Sequence, residues 1–426
     1  MKIAIAGYGI EGESSYRYYS KDASSEICIV DERNIQPPSN AKFIIGAGAF
    51  NQLIDFDLVI RTPSLNPEKI NTNGKIWSAT NEFFDKCPAP IIGVTGSKGK
   101  GTVASLIFEI LREDSKKVWL VGNIGKPALD VLDEIKPEDI VVYELSSFQL
   151  WDMQKSPHIA VILFIEKEHQ DIHMSMDDYV SAKANIVRTQ SSEDLTIYNK
   201  DNKYSQEIAT KSKAKTIGYP DELSAHFDND NFYYNEQLIC SIHKSKLIGN
   251  HNKENICAAI DTVWPLLNDI SSIERALEKF TGLPHRLQFI REFKGVSYYD
   301  DSIATTPSSA IAALNSFNKD TVIILGGSSK GSDFNELAKT LKQKSAKALL
   351  IGQEAENIAK SCQAIGFSDY EIVDFINMKL LVDKARQLSK AGGVVLLSPA
   401  SASFGLFKDY IDRGEQFKNA VMALES

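Results

Sequence analysis

The sequence predicts an α/β protein of three domains. Short apolar runs typical of buried strands alternate with helical stretches, as in parallel sheets covered by helices. Glycine-rich turns beginning at Gly7 and Gly96 follow two of these runs. Proline-containing breaks lie at residues 87–90 and 282–284, and a chain of 426 residues is too long for one core. The predicted domains span residues 1–88, 89–283 and 284–426.

The predicted strands follow from the apolar runs in chain order. A polar, strand-rich stretch at 195–248, with a turn at 228–231, predicts antiparallel strands added to the parallel sheet of the central domain. A helix at 253–267 is expected to close that domain. The buried strands are predicted at residues 3–6, 26–30, 58–60, 91–94, 140–143, 159–165, 296–299, 322–325, 348–351 and 394–397.

Composition and charge narrow the class of protein. The chain is 43% hydrophobic and 24% charged, and its net charge of -9 argues against a nucleic-acid binder. No apolar run approaches the ~20 residues of a membrane-spanning helix, and residues 1–7 are typical of a first strand rather than a signal peptide. The five cysteines lack paired spacing. We therefore expect a cytoplasmic protein with reduced thiols, no nucleic-acid partner and no membrane insertion.

Residues 93–102 (GVTGSKGKGT) predict a phosphate-binding loop. A buried strand leads into glycines and Lys100, and a helix begins near Thr102. Glycines let the backbone approach phosphate oxygens, while the helix dipole and the lysine favour negative charge. The hydroxyl residue that usually follows the lysine and holds magnesium is replaced by Gly101. Thr102 is the candidate to take over that metal contact.

Two further features indicate nucleotides. Glu144 ends the strand at 140–143, where a carboxylate would meet a magnesium ion bound to phosphates. The turn Gly7-x-Gly9-x-x-Gly12 follows the first strand, and Asp31 ends the next strand about twenty residues later. Taken alone, this second pattern is also that of a dinucleotide-binding oxidoreductase.

Several strings together resemble the Mur ligases of peptidoglycan synthesis over essentially the whole chain. They are 122–125 (GNIG), 144–150 (ELSSFQL), 181–186 (SAKANI), 249–255 (GNHNKEN), 284–286 (PHR), 326–334 (GGSSKGSDF) and 397–404 (LSPASASF). The resemblance implies Rossmann-like first and third domains around a central phosphate-loop ATPase domain with a mixed sheet. It is strongest to the branch that adds D-glutamate to UDP-N-acetylmuramoyl-L-alanine. The implied reaction uses ATP and passes through an acyl phosphate.

The resemblance also implies which residues form the sites. Catalytic roles fall to Lys100, Lys183, His169 and Arg286. ATP would contact Gly96, Ser97, Lys98, Gly99, Lys100, Gly101, Thr102, Asn252, Asn255, Arg286 and Asp301. Two magnesium ions would be held by Thr102, Glu144, His169 and Lys183, the last as a carbamate. The UDP substrate and D-glutamate would contact Gly9, Asp31, Arg33, Asn123, Gln149, His169, Thr305, Lys330, Ser403 and Phe404.

The chain departs from the family pattern in a few places. Glu168 replaces an aspartate, Ile303 stands where lysine is common, and Gly405 replaces an aspartate in the last string. Gly101 makes the phosphate loop similar to that of folylpolyglutamate synthases. A folylpolyglutamate synthase-like ligase and a catalytically lapsed relative that binds UDP-sugars therefore stay open as alternatives. Small-molecule substrates and a monomeric state are expected.

Overall fold

The computed structural model describes residues 1–168, 172–329 and 331–425. The chain forms two compact units, one of residues 1–244 with 251–277 and one of 245–250 with the residues from 278 onward. Both units are built from largely parallel sheets, so the predicted α/β class is confirmed. The limits of the three predicted domains stay a prediction.

The first sheet of the first unit is wholly parallel, in the order β3-β2-β1-β4-β5. Residues on opposite faces of β1 enter two separate core clusters, one with Ala4 and Ala6 and the other with Ile3 and Ile5. Burial on both faces explains why this strand is a continuous apolar run. The elements are β1 (Lys2–Ala6), α1 (Ile10–Tyr19), β2 (Glu26–Asp31), β3 (Lys42–Ile45), β4 (Leu58–Arg61), β5 (Lys75–Ser78) and α2 (Ala79–Lys86).

The glycine turn between β1 and α1 is set by close packing. Gly7 has a φ of 94°, in the left-handed region that favours glycine. A Cβ on Gly12 would lie 2.1 Å from the carbonyl oxygen of Gly7, and a Cβ on Gly7 would lie 2.2 Å from Oγ1 of Thr62. The first and third glycines of the motif are therefore required by the fold itself, whatever the turn binds.

The second sheet of this unit is also wholly parallel, in the order β11-β10-β9-β6-β8-β7. The neighbouring strands β6 and β8 bring their carboxyl ends to the same edge, which is where ligands bind in such sheets. Its elements are β6 (Ile91–Thr95), α3 (Lys100–Glu113), β7 (Val118–Gly122), α4 (Ala128–Val131), β8 (Ile140–Glu144), α5 (Ser147–Leu150), β9 (Ile159–Ile162), α6 (Met176–Ala184), β10 (Leu195–Asn199), α7 (Lys203–Ala209) and β11 (Lys215–Tyr219).

Two expectations for this region need correction. Within the stretch predicted to be antiparallel, β10 and β11 are parallel strands of the main sheet. The antiparallel strands β12 (Ala225–Phe227), β13 (Asn231–Tyr234) and β14 (Gln237–Ser241) do not join that sheet and form one of their own. The predicted helix at 253–267 is α8 (Asn250–Val263), which ends earlier because Pro265 cannot continue the hydrogen-bond ladder. Helix α9 (Ser271–Lys279) follows it.

The second unit contains a six-stranded sheet in the order β15-β16-β20-β17-β18-β19. Only the pair β15 and β16 within this sheet is antiparallel. Large apolar clusters cover both of its faces. Its elements are β15 (Gln288–Phe293), β16 (Val296–Asp300), α10 (Pro307–Asn315), β17 (Thr321–Gly327), α11 (Asn335–Lys344), β18 (Lys347–Gly352), α12 (Ala355–Ala364), β19 (Tyr370–Ile372), α13 (Met378–Leu388), β20 (Val394–Leu397) and α14 (Tyr410–Met422).

The structure describes the state of the cysteines and the lengths of the helices. All five cysteines, each within the described residues, are free, and four of them are buried. That the thiols are reduced stays a prediction. In the part of the chain that the structure describes, every helix is too short or too polar to cross a bilayer.

We expect Gly12→Ala to destabilise the first unit, because the added methyl group meets backbone rather than a flexible side chain. Overpacking of this kind costs about 1–3 kcal/mol of the free energy of unfolding, measured as a lower urea midpoint. Gly9→Ala is the matched control, since its Cβ would meet nothing within 4 Å. Equal losses in both variants would contradict the packing argument.

Candidate active site

The phosphate loop has the geometry that its sequence predicts. Gly99 precedes α3 with a φ of 85°, and Gly96 has a φ of 155°. The first-turn amides of α3 have no carbonyl acceptor within the helix, which suits an anion. The ammonium group of Lys100 folds back on the loop and donates to the carbonyl oxygens of Gly96 at 3.0 Å and Ser97 at 2.8 Å.

Two asparagines of α8 lie beside this loop. A Cβ on Gly99 would come within 2.5 Å of Oδ1 of Asn255, so the asparagine packs directly on the glycine. The Nδ2 group of Asn255 donates to Oδ1 of Asn252 at 3.0 Å. The fold therefore brings together two segments that are about 150 residues apart, as the resemblance implies.

The side chains of Ser97 and Lys98 have protein partners. The Ser97 hydroxyl donates to the carbonyl oxygen of Glu166 at 3.0 Å and lies 3.0 Å from the hydroxyl of Tyr179. The exposed Lys98 forms an ion pair with the Glu166 carboxylate. These contacts tie the phosphate loop to the segment after β9, so the Ser97 side chain shapes the loop.

Lys183 is buried against the phosphate loop. Its Nζ donates to the carbonyl oxygen of Gly96 at 2.8 Å and to Oγ1 of Thr95 at 3.3 Å. Burial, and then the positive charge of Lys100, hold the pKa of Lys183 well below its usual range. A lowered pKa increases the share of the neutral, nucleophilic form of the lysine amine.

Tyr179 belongs to the same group and was missed in the sequence. It precedes Lys183 by one helical turn on α6, and its ring lies 4.6 Å from the Lys183 amine. Residues four apart face the same side of a helix, so this spacing is the signal that could have found it.

Glu144 lies at the carboxyl end of β8, beside Val94 of β6. It is 3% exposed, and its carbonyl oxygen accepts from the amide of Asn123 at 3.1 Å. Among the described residues no group of three His, Cys, Asp or Glu could hold a metal by itself. One buried carboxylate at a phosphate loop fits magnesium, which is usually held by phosphates, water and one or two carboxylates. Thr102 lies in the first turn of α3 and is half-buried.

Asp31 anchors the glycine turn of the first sheet. Its carboxylate accepts from the amides of Tyr8 at 2.7 Å and Arg33 at 2.8 Å, and from the Arg33 guanidinium at 2.8 Å. Burial alone would raise its pKa, but these hydrogen bonds prevail and lower the pKa of Asp31 to about 2. The Arg33 side chain is 66% exposed and remains available for an anion.

Gln149 connects α5 with the glycine turn. Its Oε1 accepts from the amide of Ser146 at 2.9 Å, and its Nε2 donates to Oε1 of Glu11 at 2.6 Å. Burial raises the pKa of Glu11 to about 7. The predicted substrate residue Gln149 is thus a helix cap and a bridge to Glu11, a residue that the sequence reasoning passed over within the glycine motif.

Arg61 is a second connection that the sequence reasoning missed. Its guanidinium is fully buried, donates to Oδ2 of Asp152 at 2.8 Å and reaches the carbonyl oxygen of Phe148 at 3.1 Å. A charged residue directly after the apolar run of β4 is the signal that could have found it. The first sheet is thereby held against α5.

These parts surround one cavity of about 430 Å³. It brings together five predicted site residues, namely Gly9, Arg33, Lys100, Asn123 and Lys183. Asp31 and Gln149 lie outside its lining. The lining consists of Gly9, Ile10, Glu11, Arg33, Thr62, Pro63, Ser64, Lys100, Asn123, Ser146, Ser147, Phe148, Tyr179 and Lys183.

In the second unit, Asp301 follows β16 and is buried beside the end of β20. It accepts from the Ser398 hydroxyl at 2.7 Å and from the amide of Leu287 at 3.1 Å. Burial raises the pKa of Asp301 to about 7. Arg286, two residues before β15, is exposed.

Arg413 organises the same edge of the second unit. This fully buried guanidinium donates to the Ser302 hydroxyl at 2.9 Å and to the carbonyl oxygen of Ser401 at 3.1 Å. It joins Ser302, which follows Asp301, to the last family string, although the sequence reasoning did not single it out.

The remaining predicted residues of this unit differ in exposure. Ser403 is buried, Thr305 is half-buried and Phe404 is 62% exposed. The amide of Ser328 donates to the carbonyl oxygen of Ala402 at 2.9 Å, which places the turn after β17 beside the last family string. His169 and Lys330 lie outside the described residues.

One of the departures, Gly405, has a local explanation, and nothing in the structure explains Ile303. Gly405 has a φ of 86°, which glycine adopts without strain, and open space surrounds the position of a Cβ. Ile303 is half-buried and donates its amide to the carbonyl oxygen of His285 at 3.1 Å. Neither residue disturbs the contacts of Asp301 or Arg413.

Comparison with known proteins decides the family. The Mur ligase middle domain matches residues 94–263, and the Mur ligase glutamate ligase domain matches residues 285–401. A UDP-N-acetylmuramoylalanine--D-glutamate ligase of Acetivibrio thermocellus is 36% identical over 100% of this chain and 97% of its own length. The chain belongs to the Mur ligase family. Ligases of the same name from Clostridium kluyveri and Clostridium tetani are 35% and 33% identical to this Mur ligase, each over 99% of it and over 96% and 97% of their own lengths.

Solved structures share the fold of this Mur ligase. The UDP-N-acetylmuramate-alanine ligase of Thermotoga maritima has a TM-score of 0.60 and 18% identity, with 99% of each chain covered. MurF ligase of Thermotoga maritima, solved in complex with ADP, has a TM-score of 0.57 and 17% identity, with 99% of this chain and 95% of that chain covered. Membership of the family leaves the oxidoreductase interpretation of the glycine turn without support.

We expect Asp31 to contribute stability that depends on pH. Its folded pKa of about 2 lies below the ~3.9 of an unfolded aspartate. The contribution is therefore present above about pH 4 and is lost as the pH falls toward 2. The difference in urea midpoint between the wild type and Asp31→Asn should shrink over that range. A difference that is constant with pH would contradict the assignment.

Proposed function

We propose that this Mur ligase uses ATP to join D-glutamate to the alanine carboxylate of UDP-N-acetylmuramoyl-L-alanine. The observation that carries the proposal is the cavity in which Lys100 and the buried Lys183 face the glycine turn of the first sheet. Full-length relatives that are 33–36% identical are named as ligases of this kind, which supports the choice of substrates.

ATP is proposed to bind at the phosphate loop. Phosphate oxygens would take the place of the carbonyl oxygens of Gly96 and Ser97 as acceptors for the Lys100 ammonium. The first-turn amides of α3 would donate to the same phosphates. Asn252 and Asn255 flank the loop and supply polar groups beside the nucleotide.

The uridine diphosphate is proposed to bind at the glycine turn. Arg33 supplies positive charge, and the absence of a side chain at Gly9 leaves room for close approach of the backbone to an anion. Asp31 keeps the turn and Arg33 in position through its hydrogen bonds. Asn123, which lines the cavity next to Glu144, is proposed to contact the sugar–peptide part.

The chemistry requires activation of a carboxylate. The alanine carboxylate oxygen attacks the γ-phosphorus of ATP, and the bond between that phosphorus and the β–γ bridging oxygen breaks. ADP is the leaving group, and the product is an acyl phosphate. The D-glutamate amine then attacks the acyl carbon, loses a proton, and the tetrahedral intermediate expels inorganic phosphate. Lys100 stabilises the charge on the transferring phosphoryl group, and the walls of the cavity limit access of water to the acyl phosphate.

Magnesium is proposed at Glu144 and Thr102, with a second ion at carbamylated Lys183 and His169. Bound magnesium would neutralise phosphate charge and orient the γ-phosphoryl group. The low pKa of Lys183 supports the carbamate, because a neutral amine is the form that reacts with carbon dioxide. Once carbamylated, the side chain would be an anion in place of a buried amine.

The residues of the second unit complete the assignment as proposals. Arg286 and Asp301 are assigned to ATP, and the amino-acid substrate is assigned to Thr305, Lys330, Ser403 and Phe404. The free cysteines support a cytoplasmic location. A monomer is the proposed state.

A folylpolyglutamate synthase-like activity is the second candidate, favoured by Lys100-Gly101-Thr102. The folylpolyglutamate synthase of Mycobacterium tuberculosis, complexed with ADP, shares the fold with a TM-score of 0.56 at 14% identity over 82% of this chain. The deciding experiment is release of phosphate from ATP with UDP-N-acetylmuramoyl-L-alanine, tested separately with D-glutamate, L-glutamate and a folate plus L-glutamate. We expect phosphate release only in the reaction that contains UDP-N-acetylmuramoyl-L-alanine and D-glutamate, and Lys100→Ala should abolish it.

The other outcomes separate the alternatives. Release with the folate substrate would establish the second candidate. Release with L-glutamate in place of D-glutamate would overturn the amino-acid assignment. Binding of the UDP substrate without release under any condition would identify a lapsed relative.

We expect Lys183 to carry a carbamate. Protein equilibrated with ¹³C-labelled carbon dioxide should show a carbamate carbonyl signal by ¹³C NMR that Lys183→Met lacks. Lys211→Met, which removes an exposed lysine paired with Glu207, is the control and should keep the signal. Lys183→Met should lose nearly all ligase activity. A signal that survives in this variant, or full activity without it, would refute the carbamate.

A further inference from the structure

A histidine that has no place in the proposed reaction lies directly behind the cavity. His173 is 1% exposed, although imidazole is a polar ring. Its ring stacks on Phe148 with 5.5 Å between centroids and 9° between planes, and it meets the Tyr179 ring edge-on at 5.1 Å. Both aromatic residues line the cavity. Because buried polar atoms are normally hydrogen-bonded, both ring nitrogens of this histidine are expected to have partners.

Each nitrogen of His173 has a defined partner. Nδ1 lies 3.0 Å from Oδ2 of Asp178, and Nε2 lies 3.0 Å from Oγ of Ser147. The Asp178 carboxylate is itself fixed, because Oδ2 also accepts from the amide of Met174 at 3.1 Å. Its backbone amide donates to the hydroxyl of Ser175, the cap of α6. The three side chains form a chain of hydrogen bonds that ends at the cavity.

The direction assigned to these hydrogen bonds is that of a neutral imidazole ring beside a carboxylate. An ionised carboxylate only accepts, so Nδ1 carries the ring proton and donates to Asp178. In the neutral ring Nε2 is then an acceptor, and the Ser147 hydroxyl must donate its hydrogen to it. What remains on Ser147 is the pair of oxygen lone pairs. Ser147 lines the cavity, and a ligand group that reaches its Oγ would meet it as an acceptor.

We infer that Ser147 is a specificity-determining residue that accepts a hydrogen bond from an N–H or O–H group on the sugar–peptide part of the UDP substrate, and that His173 and Asp178 are positioning residues that hold it in that state. The inference rests on the proposed function for the identity of the substrate. A ligand group that can only accept hydrogen bonds would bind poorly beside Ser147, because its lone pairs would face those of the serine oxygen with no hydrogen to share.

The test measures binding of UDP-N-acetylmuramoyl-L-alanine by calorimetry, without ATP. Ser147→Ala removes the acceptor and should weaken binding about 2- to 10-fold, the worth of one neutral hydrogen bond. His173→Phe keeps the aromatic stack but frees the serine hydroxyl, and a loss of the same size is expected. The double variant should bind no more weakly than the weaker single variant, because both changes remove one interaction. In turnover the loss should appear in KM rather than kcat.

The control is His226→Phe. His226 also stacks on an aromatic ring, that of Tyr233, and bonds to a backbone carbonyl, but it belongs to the separate antiparallel sheet. The His226→Phe variant should bind the substrate as tightly as the wild type does. Additive losses in the double variant, or unchanged binding in Ser147→Ala, would overturn the inference. A wild type that does not bind the substrate would instead overturn the proposed function.

A second measurement does not depend on the variants folding. In ¹⁵N-labelled wild-type protein, the His173 ring should show the tautomer with the proton on Nδ1 and an unprotonated Nε2. A proton on Nε2 would make Ser147 a donor toward the cavity and would overturn the inference.

Discussion

The Lys183 amine lies inside the first unit, 2.8 Å from the carbonyl oxygen of Gly96. A charged ammonium at this depth would have to be desolvated next to Lys100, so the environment favours the neutral form. The amine donates to the loop from this buried position. The position of α6, the shape of the phosphate loop and the proposed carbamate all depend on this burial.

The cavity in front of that amine is formed by two sheets of the same unit. Arg61 joins β4 to α5 through Asp152 and Phe148, and Gln149 joins α5 to Glu11 of the glycine turn. Buried polar contacts of this kind demand defined partners, so they fix one arrangement of the two walls. The proposed nucleotide-sugar and phosphate sites face each other for this reason.

Much of the fold could be predicted from the sequence because the central strands of the parallel sheets are buried on both faces. The strands that were not predicted are β3, β5, β7, β15 and β19, and each lies at or next to a sheet edge. Edge strands bury less of their surface, and no residue of Lys42–Ile45 is fully buried, so burial on both faces does not mark them. The antiparallel sheet after β11 was anticipated as strands, but its separation from the parallel sheet depends on packing that no local pattern records.

The sequence by itself determined the α/β class, the phosphate loop, the glycine turn and the family strings, because each depends on the backbone freedom or charge of neighbouring residues. Only the tertiary structure decided that Lys183 is buried, that Gln149 bonds to Glu11, and that His173 lies between Asp178 and Ser147. Those facts depend on which distant segments meet and how much water remains between them. Burial and the direction of a hydrogen bond are properties of the contact between those segments, so they cannot be predicted from residue identity.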